Sequence, residues 1–123
     1  MMPFGAEYAD VWKTLKATAE EGSWLCQRAD DIWEDSVLVN DIVGLIARSK
    51  VVICDLSGRN ANVFYETGIV HTLGREVVLI TQSDSDVPFD LRHHRYIRYL
   101  NNSEGLAALK RGLMGRLQTL IAR

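Results

Sequence analysis

VVICDLSGRNANVFYETGIVHTLGREVVLI, residues 51–80, is the stretch whose reading decides the fold. Val51 to Cys54 is a short apolar run, too brief for a helix and rich in β-branched residues. Turn formers follow at once from Asp55 to Asn60. A helical pattern then runs from near Asn62 to Gly74 and gives way to a second apolar run, Val77 to Ile80. Strand, loop, helix and strand make one βαβ unit, which predicts a parallel sheet with a right-handed crossover. Val63, Glu66, Ile69, Val70 and Leu73 fall at the spacing of a single buried stripe. Glu66 is therefore expected on the face that packs against the sheet.

Working outward, Met1 to Phe4 reads as the end of a strand, with a turn at Gly5. Ala6 to Glu21 is helical, with Val11, Leu15 and Ala19 inward, and Gly22 stops it. Trp24 to Gln27 reads as another short strand. Asp30 to Ser36 is turn-like, and Asp35 or Ser36 is placed to cap a helix over Val37 to Arg48. The stripe of that helix is Leu38, Asp41, Ile42, Leu45 and Ile46, so a carboxylate again interrupts an apolar face. Ser83 to Asp90 is a polar loop and Tyr96 to Tyr99 a last strand. Asn101-Asn102-Ser103 caps a final helix ending near Ile121. Such alternation predicts one α/β domain over residues 1–123, a flavodoxin-like three-layer sandwich of about five parallel strands in order 2-1-3-4-5. The first strand, at about four residues, is short for a central one. Its brevity fits either a chain that begins further upstream or an edge completed by a partner.

Composition narrows the function classes. An apolar fraction of 47% and a charged fraction of 24% suit a single soluble globular domain. A formal charge of -2 gives no electrostatic reason to expect nucleic acid as a partner. No apolar run is long enough for a membrane span and no signal peptide opens the chain, so a cytoplasmic address is expected. Cys26 and Cys54 read as reduced thiols, and neither a metal site nor a cofactor is expected.

The topology also makes a claim about chemistry. Right-handed crossovers put the helices flanking the third strand on one face, both starting at the carboxyl edge of the sheet. Asp41 and Glu66 are then expected to converge where the strand order reverses, which is where such sheets bind ligands. Asp55, Ser57, Gly58, Arg59, Asn60 and Asn62 border the same crevice, beside a helix N-terminus suited to a phosphate or sugar hydroxyl. Tyr8 is a further candidate contact, and Arg28, Arg59 and Arg92 are candidates for a phosphate. Paired carboxylates in a partly apolar cleft suit glycosidic chemistry, one attacking the sugar carbon and the other handling the leaving group. The alternative at Glu66 is a structural carboxylate that accepts loop N–H bonds, at Asp41 a side chain facing water at the edge of its stripe, and at Asn60 and Asn62 turn formers alone. With Asn62 as N-cap, Glu66 is out of register for a capping box. His93-His94 reads as a solvated pair and His71 as a surface residue off the apolar stripe.

DLSGRNANVFYETGIVHTLGREVVLITQ also resembles the nucleoside 2-deoxyribosyltransferase-like family, with its pattern D-L-[ST]-G-R-N-x-N-V-F-Y-E-L-G-I-x-H-[AT]-L-G-[KR]. The likeness extends to MPFGAEYADVW, RADDIW, NDIVGLI and PFDLRHHRYIRY, and so covers most of the chain. The resemblance implies a flavodoxin-like fold and cleavage of the N-glycosidic bond of a nucleoside or nucleotide. It implies Glu66 as nucleophile, and Asp41 as the residue that binds and protonates the base. Six positions before the glutamate, transferases of the family carry an aspartate on the sugar. Asn60 stands there in this chain and cannot bear that charge. The wider superfamily includes nucleotide N-glycosidases and TIR-like domains, some of which cleave NAD with a glutamate on a comparable helix. A nucleotide-binding or TIR-like signalling module without turnover is therefore the rival reading. Sites in the family are often completed by a neighbouring subunit, and Trp12, Trp33, Phe64 and Tyr65 are much apolar surface for one small core. A homodimer or larger even-numbered assembly is expected.

Overall fold

A computed structural model describes residues 1–28 and 38–123. After a 3-10 turn at Ala6–Tyr8 the elements are α1 (Ala9–Glu21), α2 (Leu38–Arg48), β1 (Val51–Asp55), α3 (Ala61–Thr72), β2 (Glu76–Thr81), β3 (Tyr96–Arg98) and α4 (Ser103–Ile121). The predicted βαβ unit is β1, α3 and β2. The turn expected over 30–36, with its capping residues and Trp33, lies outside the described residues.

The β-branched runs that suggested strands are covered on both faces, as parallel strands require. Val78 and Ile80 of β2 point to one side, into a core with Val11 and Leu15 of α1 and Leu109, Leu113 and Leu117 of α4. Val52 and Cys54 of β1 and Leu79 of β2 point to the other, against Ile46 of α2 and Val63 and Val70 of α3. Helices therefore cover both faces of a parallel sheet, ordered β1-β2-β3, with Val52 opposite Val77 and Ile80 opposite Ile97.

Among the described residues the sheet has three strands, not the expected five. Met1 to Phe4 forms no extended ladder, but the Met1 ammonium donates to the Ile53 carbonyl at 2.8 Å. The Asp55 N–H in turn donates to the Met1 carbonyl at 2.9 Å. Those two bonds form a single parallel bridge across Cys54, on the edge of β1 facing away from β2. The first segment thus lies where the expected strand order put it, reduced to one residue of pairing. Trp24 to Gln27 is not a strand. Ser23 takes a left-handed φ of 62°, and the Trp24 N–H caps the end of α1 by donating to Ala19 at 2.9 Å. The backbone there serves a helix end instead of a sheet.

Two local expectations for α3 also change. Asn60, not Asn62, is the N-cap: its Oδ1 accepts from the N–H groups of Asn62 at 2.9 Å and Val63 at 3.2 Å. The buried face is Val63, Glu66, Thr67 and Val70, while Leu73 is 41% exposed at the C-cap. Asn102 caps α4 as expected, accepting from the Gly105 N–H at 2.7 Å.

Candidate functional site

The carboxyl end of β1 delivers Asp55 into the protein with no exposed surface. A buried carboxylate persists only with donors around it, and both Asp55 oxygens have them. Oδ1 accepts from the Ser57 N–H at 3.0 Å and Oδ2 from the Tyr99 hydroxyl. Burial pushes the Asp55 carboxyl up, opposed by those hydrogen bonds and by the Met1 ammonium. Tyr99 is pushed up as well, by burial first and then by the Asp55 charge. Ser57 is buried too. Its Oγ accepts from the Gln82 N–H at 2.9 Å, and Gln82 Nε2 reaches the Tyr99 hydroxyl at 3.2 Å. Asp55 and Ser57, read from the sequence as ligand contacts, are here the braces that fix the loop.

Beyond them the chain makes a 3-10 turn, Ser57–Arg59, with left-handed φ of 75° at Gly58 and 55° at Arg59. The Gly58 N–H donates to Asp86 Oδ2 at 2.8 Å. Tyr8 does reach this loop, its hydroxyl donating to the Ser57 carbonyl at 3.4 Å. A Cβ on Gly58 would lie 3.1 Å from that hydroxyl, so glycine permits both the turn and the approach. Burial and the charges of Asp55, Glu7 and Asp86 raise the Tyr8 pKa. Arg59 and Asn62 are exposed on the rim and Asn60 is committed to the helix cap. Of the other proposed cations, Arg28 stacks on Trp12, 4.7 Å from the ring centroid, and Arg92 is exposed beyond the Phe89–Leu91 turn.

Glu66 sits two turns into α3 on its buried face, 8% exposed. Burial raises its carboxyl above the ordinary range, and the Met1 ammonium opposes that shift. Cys54 lies in the same neighbourhood, its thiol pushed up by burial while Met1, Thr67, Glu66 and Asp55 also act on it. Among the described residues no hydrogen bond or ion pair engages the Glu66 carboxylate. The loop N–H groups that a structural glutamate would take are already held by Asp55, Asp86 and Asn60. Asp41 is buried in the first turn of α2, which packs on α3. No hydrogen bond joins it to Glu66 among the described residues, and the charge acting on Glu66 is that of Met1.

Sequence reasoning missed Tyr99, Gln82 and Asp86. Tyr99 was read as a strand end, Asp86 as part of a polar loop and Gln82 as neither, and their roles come from partners 44, 28 and 25 residues away. Two signals were available: an aromatic hydroxyl at a buried strand end needs a partner, and so does a buried aspartate. Among the described residues no group of three His, Cys, Asp or Glu side chains could hold a metal ion. None of the described helices is long and apolar enough to cross a membrane. No protein-family model, no curated protein and no solved structure matches this chain.

Proposed function

We propose that this chain cleaves the N-glycosidic bond of a nucleoside or nucleotide, with Glu66 as the nucleophile, on a flavodoxin-like frame. One observation carries the reading: a buried carboxylate near the carboxyl edge of the sheet that nothing among the described residues hydrogen-bonds, although burying such a group costs free energy. The loop is braced by Asp55, Asp86 and Asn60, which leaves Glu66 without a structural task there. The likeness of residues 55–82 to the deoxyribosyltransferase-like pattern supports the same assignment.

In this mechanism the Glu66 carboxylate attacks the anomeric carbon. A C–O ester bond forms as the C–N bond breaks, and the bonding electrons leave on the base nitrogen. Asp41 is assigned the delivery of the proton that the departing base takes up. Water then attacks the same carbon, gives its proton to Asp41 and releases Glu66 as a carboxylate. A second base in place of water would turn hydrolysis into transfer. The Met1 ammonium opposes the rise that burial imposes on the Glu66 carboxyl.

The test is to incubate the pure protein with nucleosides, nucleotides and NAD and to follow free base by chromatography. Base release by the native protein and none by Glu66→Gln supports the proposal. Binding without release from any member of the panel would instead favour the non-catalytic nucleotide-binding module. Self-association belongs to the same proposal. Tyr65 is 65% exposed on α3, with Leu73 at 41% and Val43 of α2 at 37%. These outward side chains offer an apolar face to the matching face of a second copy.

A further inference from the structure

The net charge of -2 conceals one strongly cationic groove. It lies at the sheet edge away from β1, between the end of α3, the approach to β3 and α4, and encloses about 890 Å³. Arg75, Arg95, Arg111 and Arg116 line it together with His71 and His94. All four arginines are exposed, and none forms an ion pair among the described residues. Neighbouring cations do find partners: Arg98 meets Asp84 at 3.6 Å and Lys110 meets Glu21 at 2.7 Å. The one carboxylate on the lining, Glu76, is already held by Arg123 at 3.3 Å. Four guanidinium groups therefore face one space with no counter-charge of their own.

A second observation does not depend on counting charges. His71, expected on the surface, is half-buried, and its Nε2 is buried with no hydrogen-bond partner. A buried polar atom left unpaired costs free energy and needs an explanation. His71 lines the groove, and a small turn of its ring would bring an Nε2–H donor to an anionic oxygen seated there. The ring stacks on His94, centroids 5.0 Å apart and planes 17° from parallel. The floor, with Leu79 and Ile97, is apolar, so an anion there would be shielded from water on one side.

We propose that this groove seats a small, multiply phosphorylated ligand. Guanidinium forks match phosphate oxygens in pairs, and cations from three separate segments can close around a compact polyanion. A long nucleic-acid strand fits less well, because beyond the groove it would meet a chain of net negative charge. None of the residues around Glu66 lines the groove, so this seat is separate from the glycosidic site and stands without it.

The test is calorimetric titration of the native protein with inorganic triphosphate at about 50 mM salt, where exposed charges are weakly screened. Saturable one-to-one binding is expected. Arg111→Glu with Arg116→Glu should weaken it at least tenfold, or by about 1.4 kcal/mol. Lys13→Glu with Lys16→Glu changes the net charge equally on an exposed part of α1, and should alter affinity less than about threefold if local contacts dominate. All four substituted side chains are exposed. Circular dichroism checks folding, and Arg111→Gln with Arg116→Gln replaces the reversed pair if that protein unfolds. Absence of binding to the native protein, or equal loss in both double variants, overturns the proposal. So does a single-stranded oligonucleotide that binds more than about tenfold tighter than triphosphate, since that would reveal an extended track.

Discussion

Replacing Glu66 by Gln separates chemistry from scaffolding more sharply than any other change in this molecule. The amide keeps the shape of the carboxylate but cannot form the glycosyl ester, so base release should fall by roughly a thousandfold or more. Stability should move the other way. Glu66 has a folded pKa raised by burial, so the folded state holds this proton more tightly than the unfolded chain does. Stability is therefore lost as pH rises from the unfolded pKa through the folded one, and the charged form burdens the fold at neutral pH. Gln removes that burden and should raise Tm slightly at pH 7.5. Below about pH 4.3, where the carboxyl is neutral in both states, the gap between variant and native protein should close. The structural alternative makes the opposite forecast. Losing an acceptor for buried N–H donors costs roughly 1–3 kcal/mol, or a drop of several degrees in Tm for a chain of this size. Scanning calorimetry at several pH values, run beside the base-release assay, reads both quantities. An active but destabilised Glu66→Gln protein refutes the argument, because Glu66 would then be a support for the loop and not the nucleophile.

Other expectations follow from the braces and caps around the site. Tyr99→Phe removes the donor to the buried Asp55 Oδ2 and should cost about 2 kcal/mol by urea denaturation. The loss should be larger at pH 8 than at pH 4, since only an ionised Asp55 misses that donor fully. Asn60→Ala strips two hydrogen bonds from the start of α3 and should cost about 1 kcal/mol, again read from the urea midpoint. Asn60→Asp keeps the cap and adds a negative charge at a positive helix end. It should be neutral or stabilising by about 0.5 kcal/mol. The native protein should scatter light as a dimer or larger at micromolar concentration, and Tyr65→Lys with Leu73→Lys should return it toward 13.9 kDa. Native scattering at the monomer mass would refute the self-association reading.

Much of the frame was legible because it rests on local periodicity. The apolar runs Val51 to Cys54 and Val77 to Ile80 and the inward positions Val11, Leu15 and Ala19 of α1 lie in or against the core, and the chain encodes them at short range. The burial of Glu66 was readable for the same reason, whereas Asp41, at the edge of its stripe, could equally have faced water. What escaped depends on partners distant in sequence or on competition among nearby ones. Trp24 has the composition of a strand residue, yet its N–H goes to Ala19 once Ser23 turns left-handed. Asn60 and Asn62 compete for one cap, and position decides between them, not residue type. That Tyr99 meets Asp55 across the carboxyl end of the sheet, 44 residues away in the chain, is likewise beyond what sequence shows.

The bridge at Met1 ties the sheet edge to the candidate site. Its ammonium is both a rung of the sheet and the positive charge that tempers Glu66, Asp55 and Cys54. One residue thus closes the open edge of β1 and sets the field in which three buried groups titrate, so a change there is felt in the sheet and in the site together.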